Sequence, residues 1–455
     1  MGATVSGWQL AQAVARRGQM GVVSGTAMDR IMACRLQQGD PGGHYRRILA
    51  GFPVPEVADR LLERYSAERF ARSGRYRPIP MFGAEPCEEL LELAVAAAYA
   101  EVALAKEGHD GPVGINLLEK IQAPTLPLLY GAMLAGVDWV LMGAGIPRDI
   151  PAHLDRLVAH QPATLKLQVV GGPDAAATFD PGFLGVDLPP LRRPGFIAIV
   201  GSSLLARSLA RAGGFDGLVI EGHIAGGHNA LPRRGDAGDP RPVYGKADTI
   251  DVERIAALGL PFWLAGGYGH AGGLDAAREL GAVGIQVGTL FAFCTESNFD
   301  TDLRHRALAA IHDGTAQVIT DGRCSPTGFP FKVMQLAGTQ GAPESDTIVR
   351  KPCIHGYLRQ AYRDAEGALR WRCSAEPEHV WASKGGDPEQ QPGRRCLCNA
   401  LAAAVGCGRG WPEQDDTLPV ITAGTDLSCI EPLVADGSLD YSADQVIDML
   451  LAPAS

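Results

Sequence analysis

The chain has 455 residues, of which 46% are hydrophobic and 20% charged, and its formal net charge is −10. That length suggests two to three domains, or one large domain with an appendage, and it can bury a core without disulfide staples. An acidic balance argues against a nucleic-acid footprint and against an anionic membrane surface, and no apolar run reaches the roughly 18 residues needed to span a bilayer.

The first residues, Met1 to Gly18, lack the continuous apolar stretch of a signal peptide and predict a short helix with Trp8, Leu10 and Val14 on one side. The expected compartment is the cytoplasm, where the ten cysteines would be reduced thiols or metal ligands. Next come eight short apolar runs, each ending in a polar or glycine residue: Met20–Ser24, Val113–Asn116, Trp139–Met142, Leu165–Val170, Phe196–Val200, Leu218–Glu221, Phe262–Ala265 and Gly284–Val287. Such runs are what strands buried on both faces look like. Helical patterns lie between most of them, at Glu88–Glu107, Pro124–Ala135, Ile150–Ala159, Ser203–Ala212, Val252–Leu258 and Gly273–Leu280. Alternating strands and helices predict an α/β fold with a parallel sheet, and eight units predict a closed (β/α)8 TIM barrel over residues 1–330. A doubly wound open sheet is the rival, but its glycine-rich loop belongs after the first strand, and here the glycine-rich loops come late. Residues 38–85 read as an insertion after strand 1, over one mouth of the barrel. Residues 331–455 read as an irregular, cysteine-containing C-terminal extension.

The chemistry-bearing residues follow the last three strands. Glu221-Gly222-His223-Ile224-Ala225-Gly226-Gly227-His228-Asn229 places two glycines and an imidazole at a strand's C-terminal end. Glycine lets backbone approach a ligand, and histidine serves as acid, base or hydrogen-bond donor near neutral pH. His228 is the candidate catalytic residue and His223 a weaker one; a metal pair of the two, or a histidine that merely ties down the loop, is the bland alternative. Gly266-Gly267 after strand seven and Gly288-Thr289 after strand eight expose backbone N–H groups where barrels hold phosphate. Lys166 sits inside an apolar strand, facing either the barrel mouth or solvent at the strand's start. Asn116 ends strand two, either as a ligand to a ring edge or phosphate, or as a turn former.

Residues 221–230, 265–269 and 284–291 together resemble the nitronate monooxygenase family (formerly 2-nitropropane dioxygenase) and its relatives, the FMN-dependent enoyl-acyl-carrier-protein reductases. The resemblance covers roughly residues 18–335. It implies a TIM barrel holding FMN, with the phosphate near Gly266, Gly267, Gly288 and Thr289, and Gly226 and Gly227 beside the flavin. It implies Asn116 and Lys166 as further flavin contacts, with Lys166 stabilising negative charge on the reduced ring, and His228 as the motif histidine. Many members carry Glu or Met where this chain has His223-Ile224, and both the insertion and the extension are longer than in small members. The implied activity is oxidation of a nitronate or similar carbanion-forming molecule, with O2 reoxidising the flavin. The alternative is an NAD(P)H-dependent enoyl-acyl reductase or flavin dehydrogenase in fatty-acid, polyketide or secondary metabolism. No dinucleotide fingerprint is present, so NAD(P)H would bind transiently; a homodimer, and an acyl carrier protein on the reductase reading, are open as partners. A third class is a non-catalytic protein that uses the extension for docking.

Two features stand apart. Cys353, Cys373, Cys396 and Cys398 share one polar segment, and four thiolates hold Zn2+ tetrahedrally, although the spacing lacks the usual C-x2-C pair; buried unligated thiols are the alternative. Ser325 to Lys332 forms a proline- and glycine-bounded aromatic loop that either folds back over the mouth or packs with the extension, and Cys294 reads as packed.

Overall fold

The computed structural model describes residues 2–188, 190–234, 239–342 and 350–453, so residues 343–349 and 454–455 of the expected extension lie outside them. A parallel sheet forms the centre. It runs through β1 (Gly21–Ser24), β2 (Val113–Leu118) and β3 (Trp139–Gly143), and then, after three short strands elsewhere, through β7 (Gly195–Val200), β8 (Gly217–Glu221), β9 (Phe262–Ala265) and β10 (Gly284–Gln286). The three that intervene are β4 (Ala163–Leu167), β5 (Val169–Val170) and β6 (Ala175–Phe179). Val22, Leu141, Ile197, Val219 and Ala265, from five strands of the sheet, pack in one interior cluster, so the sheet curls around its own side chains. The buried apolar runs seen in the sequence are these strands, closed off from water by helices on the outer face.

The expected fourth barrel strand is not in the sheet. β3 pairs directly with β7, and β4 instead pairs antiparallel with β6 at the surface. Its burial alternates, with Ala163, Leu165 and Leu167 inward and Thr164 and Lys166 outward. Alternation marks a strand with one wet face, whereas a barrel strand is covered on both. The fold is therefore α/β with seven parallel strands, and among the described residues β10 and β1 do not pair. The helices Trp8–Arg16 and Ala443–Leu451 stand on this open side, and Leu10, Val14, Ile447 and Leu450 wall the interior there.

The insertion is also placed differently from the expectation. Its helices, among them His44–Leu49 and Pro55–Arg64, pack on the outer helix Glu88–Ala105. Tyr45 donates to buried Glu101, and Arg60 and Arg64 pair with Glu92 and Glu89. None of residues 38–85 lines the central cavity. Amphipathic helices with an apolar stripe bury it against another helix rather than over a polar mouth.

A hairpin of β11 (Gln317–Asp321) and β12 (Phe331–Gln335) leads into the extension. Farther on, β13 (Gln360–Arg363) pairs with both β14 (Leu369–Arg372) and β5. No described helix is long and apolar enough to cross a membrane.

Candidate functional site

One cavity of about 920 Å3 occupies the sheet's interior and its C-terminal end, within the range of small-molecule and cofactor sites. Asn116, Gly226, Gly227, His228, Gly266, Gly267, Gly288 and Thr289 all line it. The strands explain the convergence. β8, β9 and β10 are adjacent and in register, with Glu221 beside Ala265 and Ala265 beside Gln286, so the loops that follow emerge side by side.

The loop after β8 is held from two directions by the extension. On one side Asn229 N–H donates to Pro330 O and Lys332 N–H donates to Gly227 O, both at 2.9 Å. On the other, Gly227 N–H donates to Thr422 Oγ1 at 2.8 Å and Thr425 N–H donates to Ile224 O at 3.0 Å. A Cβ on Gly226 would come within 2.8 Å of the Ala423 carbonyl carbon, so glycine is what lets these strands of chain touch. Gly266 has φ +81 and would place a Cβ 3.1 Å from Ala225 N and Gly222 O, so it meets both conditions at once: left-handed backbone and close packing on the β8 loop.

His228 is half-buried on the cavity wall. Its Nε2 is 2.7 Å from Ser325 Oγ, which in turn lies 2.8 Å from Thr327 Oγ1, and its ring meets Phe331 edge-on at 4.9 Å. The aromatic loop thus folds back onto the imidazole. Burial draws the ring's pKa down to about 4, because protein atoms solvate the imidazolium poorly. At neutral pH His228 is a neutral base or hydrogen-bond donor with one nitrogen tied to a hydroxyl. Nδ1 makes no hydrogen bond to a described residue. His223 does not join it: its ring stacks on Tyr244 at 4.9 Å and lies outside the cavity lining, so the two histidines do not form a metal pair.

Glu221, the last residue of β8, was not singled out as a site residue, yet it lines the same cavity. Burial pushes its carboxyl up to about 7. A carboxyl ending a barrel strand was the signal available in the sequence. Thr422 and Gly424 were missed as well, and nothing local marked them, since they reach the site only through tertiary contact. Thr289 Oγ1 accepts from Gly424 N–H at 2.8 Å, which commits that hydroxyl to the extension. Gly288 remains open, with nothing within 4 Å of a Cβ built there.

Lys166 is a correction to the expected flavin contacts. Its side chain is 70% exposed, pairs with Asp174 at 2.7 Å and lies outside the cavity lining, because β4 left the barrel. Asn116 stays at the cavity, and its side-chain amide makes no hydrogen bond to a described residue. Cys294 is packed, its thiol donating to Phe291 O at 3.1 Å. Cys353, Cys373, Cys396 and Cys398 line one second, small cavity. Among the described residues no three His, Cys, Asp or Glu groups are already arranged to hold a metal ion.

The nitronate monooxygenase family profile matches residues 193–323, the stretch from β7 through the loop to Ser325's hairpin. The chain is 34% identical over 186 residues to a nitronate monooxygenase of Pseudomonas aeruginosa, covering 39% of this chain and 48% of that relative. It is 30% identical over 151 residues to a Mycobacterium tuberculosis (3aS,4S,5R,7aS)-5-hydroxy-7a-methyl-1-oxo-octahydro-1H-indene-4-carboxyl-CoA dehydrogenase, covering 32% of this chain and 37% of that relative. The matched stretch thus spans under half the length of either relative. A nitroalkane oxidase structure from Streptomyces ansochromogenes aligns with 99% of this chain and 92% of its own at 14% identity and a TM-score of 0.49. Residues 193–323, which carry the Gly-Gly-His loop and the two glycine-rich strand ends, are thus the part of the chain that is similar to the nitronate monooxygenase family.

Proposed function

We propose that the chain is an FMN-dependent oxidoreductase that oxidises a nitronate or a similar carbanion-forming small molecule, with O2 as the final electron acceptor. The observation that carries this reading is His228: a neutral imidazole, fixed by Ser325, in the wall of a 920 Å3 cavity that the glycine-rich ends of β9 and β10 also line.

The residues present suit FMN. The cavity volume accommodates a flavin mononucleotide with a small substrate, Gly288 leaves open backbone where a phosphate would approach, and the Asn116 amide is uncommitted. Gly266 and Gly267 shape the same wall. Gly227 does so less directly, because its N–H is already given to Thr422. Bound FMN supplies the redox chemistry, accepting electrons from the substrate and returning them to O2.

The chain's own groups do the rest. His228 either takes the α-proton of a carbon acid that has yet to form its carbanion or, for a nitronate, donates a hydrogen bond to its oxygen, and Ser325 fixes the ring's orientation while it does so. Glu221, held neutral up to about pH 7, is able to donate a hydrogen bond at the cavity floor without bringing negative charge beside a carbanion. The apolar interior formed by Leu141, Ile197 and Val219 keeps water from the reacting centre.

The test is a flavin-loaded preparation supplied with a small nitronate in air. Oxygen uptake with release of nitrite or H2O2, lost in His228→Ala, is the expected result; a colourless protein that ignores added FMN refutes the reading. A second reading, an acyl-thioester reductase or dehydrogenase, is favoured by the identity with the mycobacterial dehydrogenase. Consumption of NAD(P)H with an enoyl thioester, and none with a nitronate, would select it. An acyl carrier protein and a second copy of the chain are the partners to test in that case.

A further inference from the structure

We infer that Cys353, Cys373, Cys396 and Cys398 bind a single thiophilic divalent ion, Zn2+, which clamps the extension against the wall of the main cavity. Three separate stretches of chain bring these thiols to one cavity, and their chain spacing alone does not foretell it. Convergence of four cysteines from three stretches is the first observation.

The second is the set of groups around the sulfurs. The Cys353 sulfur faces the backbone N–H groups of His355 and Gly356, Cys373 that of Ala375, Cys396 that of Asn399, and Cys398 those of Tyr357 and Leu358. Backbone N–H groups aimed at sulfur orient ligands around a metal. A four-thiolate zinc centre carries a net charge of −2, and Arg359 lines the cavity to offset it, whereas Lys351 there is paired with Asp416. Glu376, the carboxylate there, is already paired with Lys384 at 2.8 Å.

Size decides the kind of centre. The cavity is about 10 Å3. That is about the space of one water-sized sphere. It suits one ion and is too small for a cluster of several irons and sulfides. No three of these groups are already arranged as ligands, so binding requires the cysteine side chains to rotate inward; four S–Zn bonds then replace four S–H bonds, and the four protons pass to solvent.

The consequence for the site is mechanical. Leu358, Leu397 and Cys398 line both the thiol cavity and the main cavity. An ion binding the three stretches together would fix that shared wall. This inference stands whether or not the main cavity binds FMN.

Elemental analysis of the purified full-length chain tests it directly. About one zinc per chain is expected, released together with four titratable thiols when a mercurial reagent is added. Cys396→Ser and Cys398→Ser lose the ion, whereas Cys87→Ser, at an exposed position far along the chain, keeps it. Should the serine variants fail to fold, mercurial release from the wild-type protein decides alone. Iron in place of zinc, released with the same four thiols, upholds the site with a different ion. Absence of stoichiometric metal both as isolated and after incubation with Zn2+ alone overturns the inference.

Discussion

Replacing Glu221 by Gln isolates the half-buried carboxyl that ends β8 in the cavity wall. Folding raises its pKa from 4.5 to about 7, because burial penalises the charged form. That difference of about 2.5 units corresponds to about 3 kcal/mol of pH-dependent stability, at 1.36 kcal/mol per unit. The carboxyl holds its proton in the folded chain where the unfolded chain has already released it. The stability it contributes is therefore fully present below pH 4.5 and is lost as pH rises through 7. Gln mimics the neutral carboxyl, so the variant should match the wild type near pH 4.5 and exceed it above pH 8. For 455 residues, with an unfolding entropy of about 2.1 cal/mol/K per residue, 3 kcal/mol is about 3 °C in Tm. Thermal melts of both proteins from pH 4.5 to 8.5 measure the gap directly. An unchanged gap across that range would mean that Glu221 is hydrated and ionises normally, and the reasoning about its role at the cavity floor would fall with it.

Three further outcomes are expected. His228→Ala should lower turnover by about 10²–10⁴ while leaving FMN affinity within a few fold, as measured by steady-state kinetics and flavin fluorescence. Because burial keeps His228 neutral down to about pH 4, the wild-type rate should not fall as pH drops through 6.5; a loss centred there would show a normally titrating imidazole. Gly267→Ala should weaken FMN binding by about 5–30 fold, since φ +93 costs a side-chain residue about 1–2 kcal/mol and the new Cβ would sit 2.7 Å from Ile224 Cδ1. Lys166→Ala should leave both FMN affinity and Tm unchanged within error, because its ion pair with Asp174 is exposed and screened by solvent; a drop in affinity would return this lysine to the cavity.

Local pattern made much of this protein legible. Seven of the eight apolar runs are strands of the central sheet, because a strand covered on both faces has to be apolar at nearly every position. The glycines after β9 and β10 and the imidazole after β8 line one cavity, because strand ends in a curled parallel sheet have nowhere else to point. What sequence left undecided was pairing between distant segments. Leu165 and Leu167 are apolar enough for a barrel strand, yet their alternation with Thr164 and Lys166 let β6 claim them at the surface, and Lys166 went with them. The partners of the Gly-Gly-His loop, Ser325, Thr422 and Gly424, lie about 100 to 200 residues away. Periodicity and turn chemistry act over a few residues, whereas these contacts depend on which surfaces the folded extension happens to bring together.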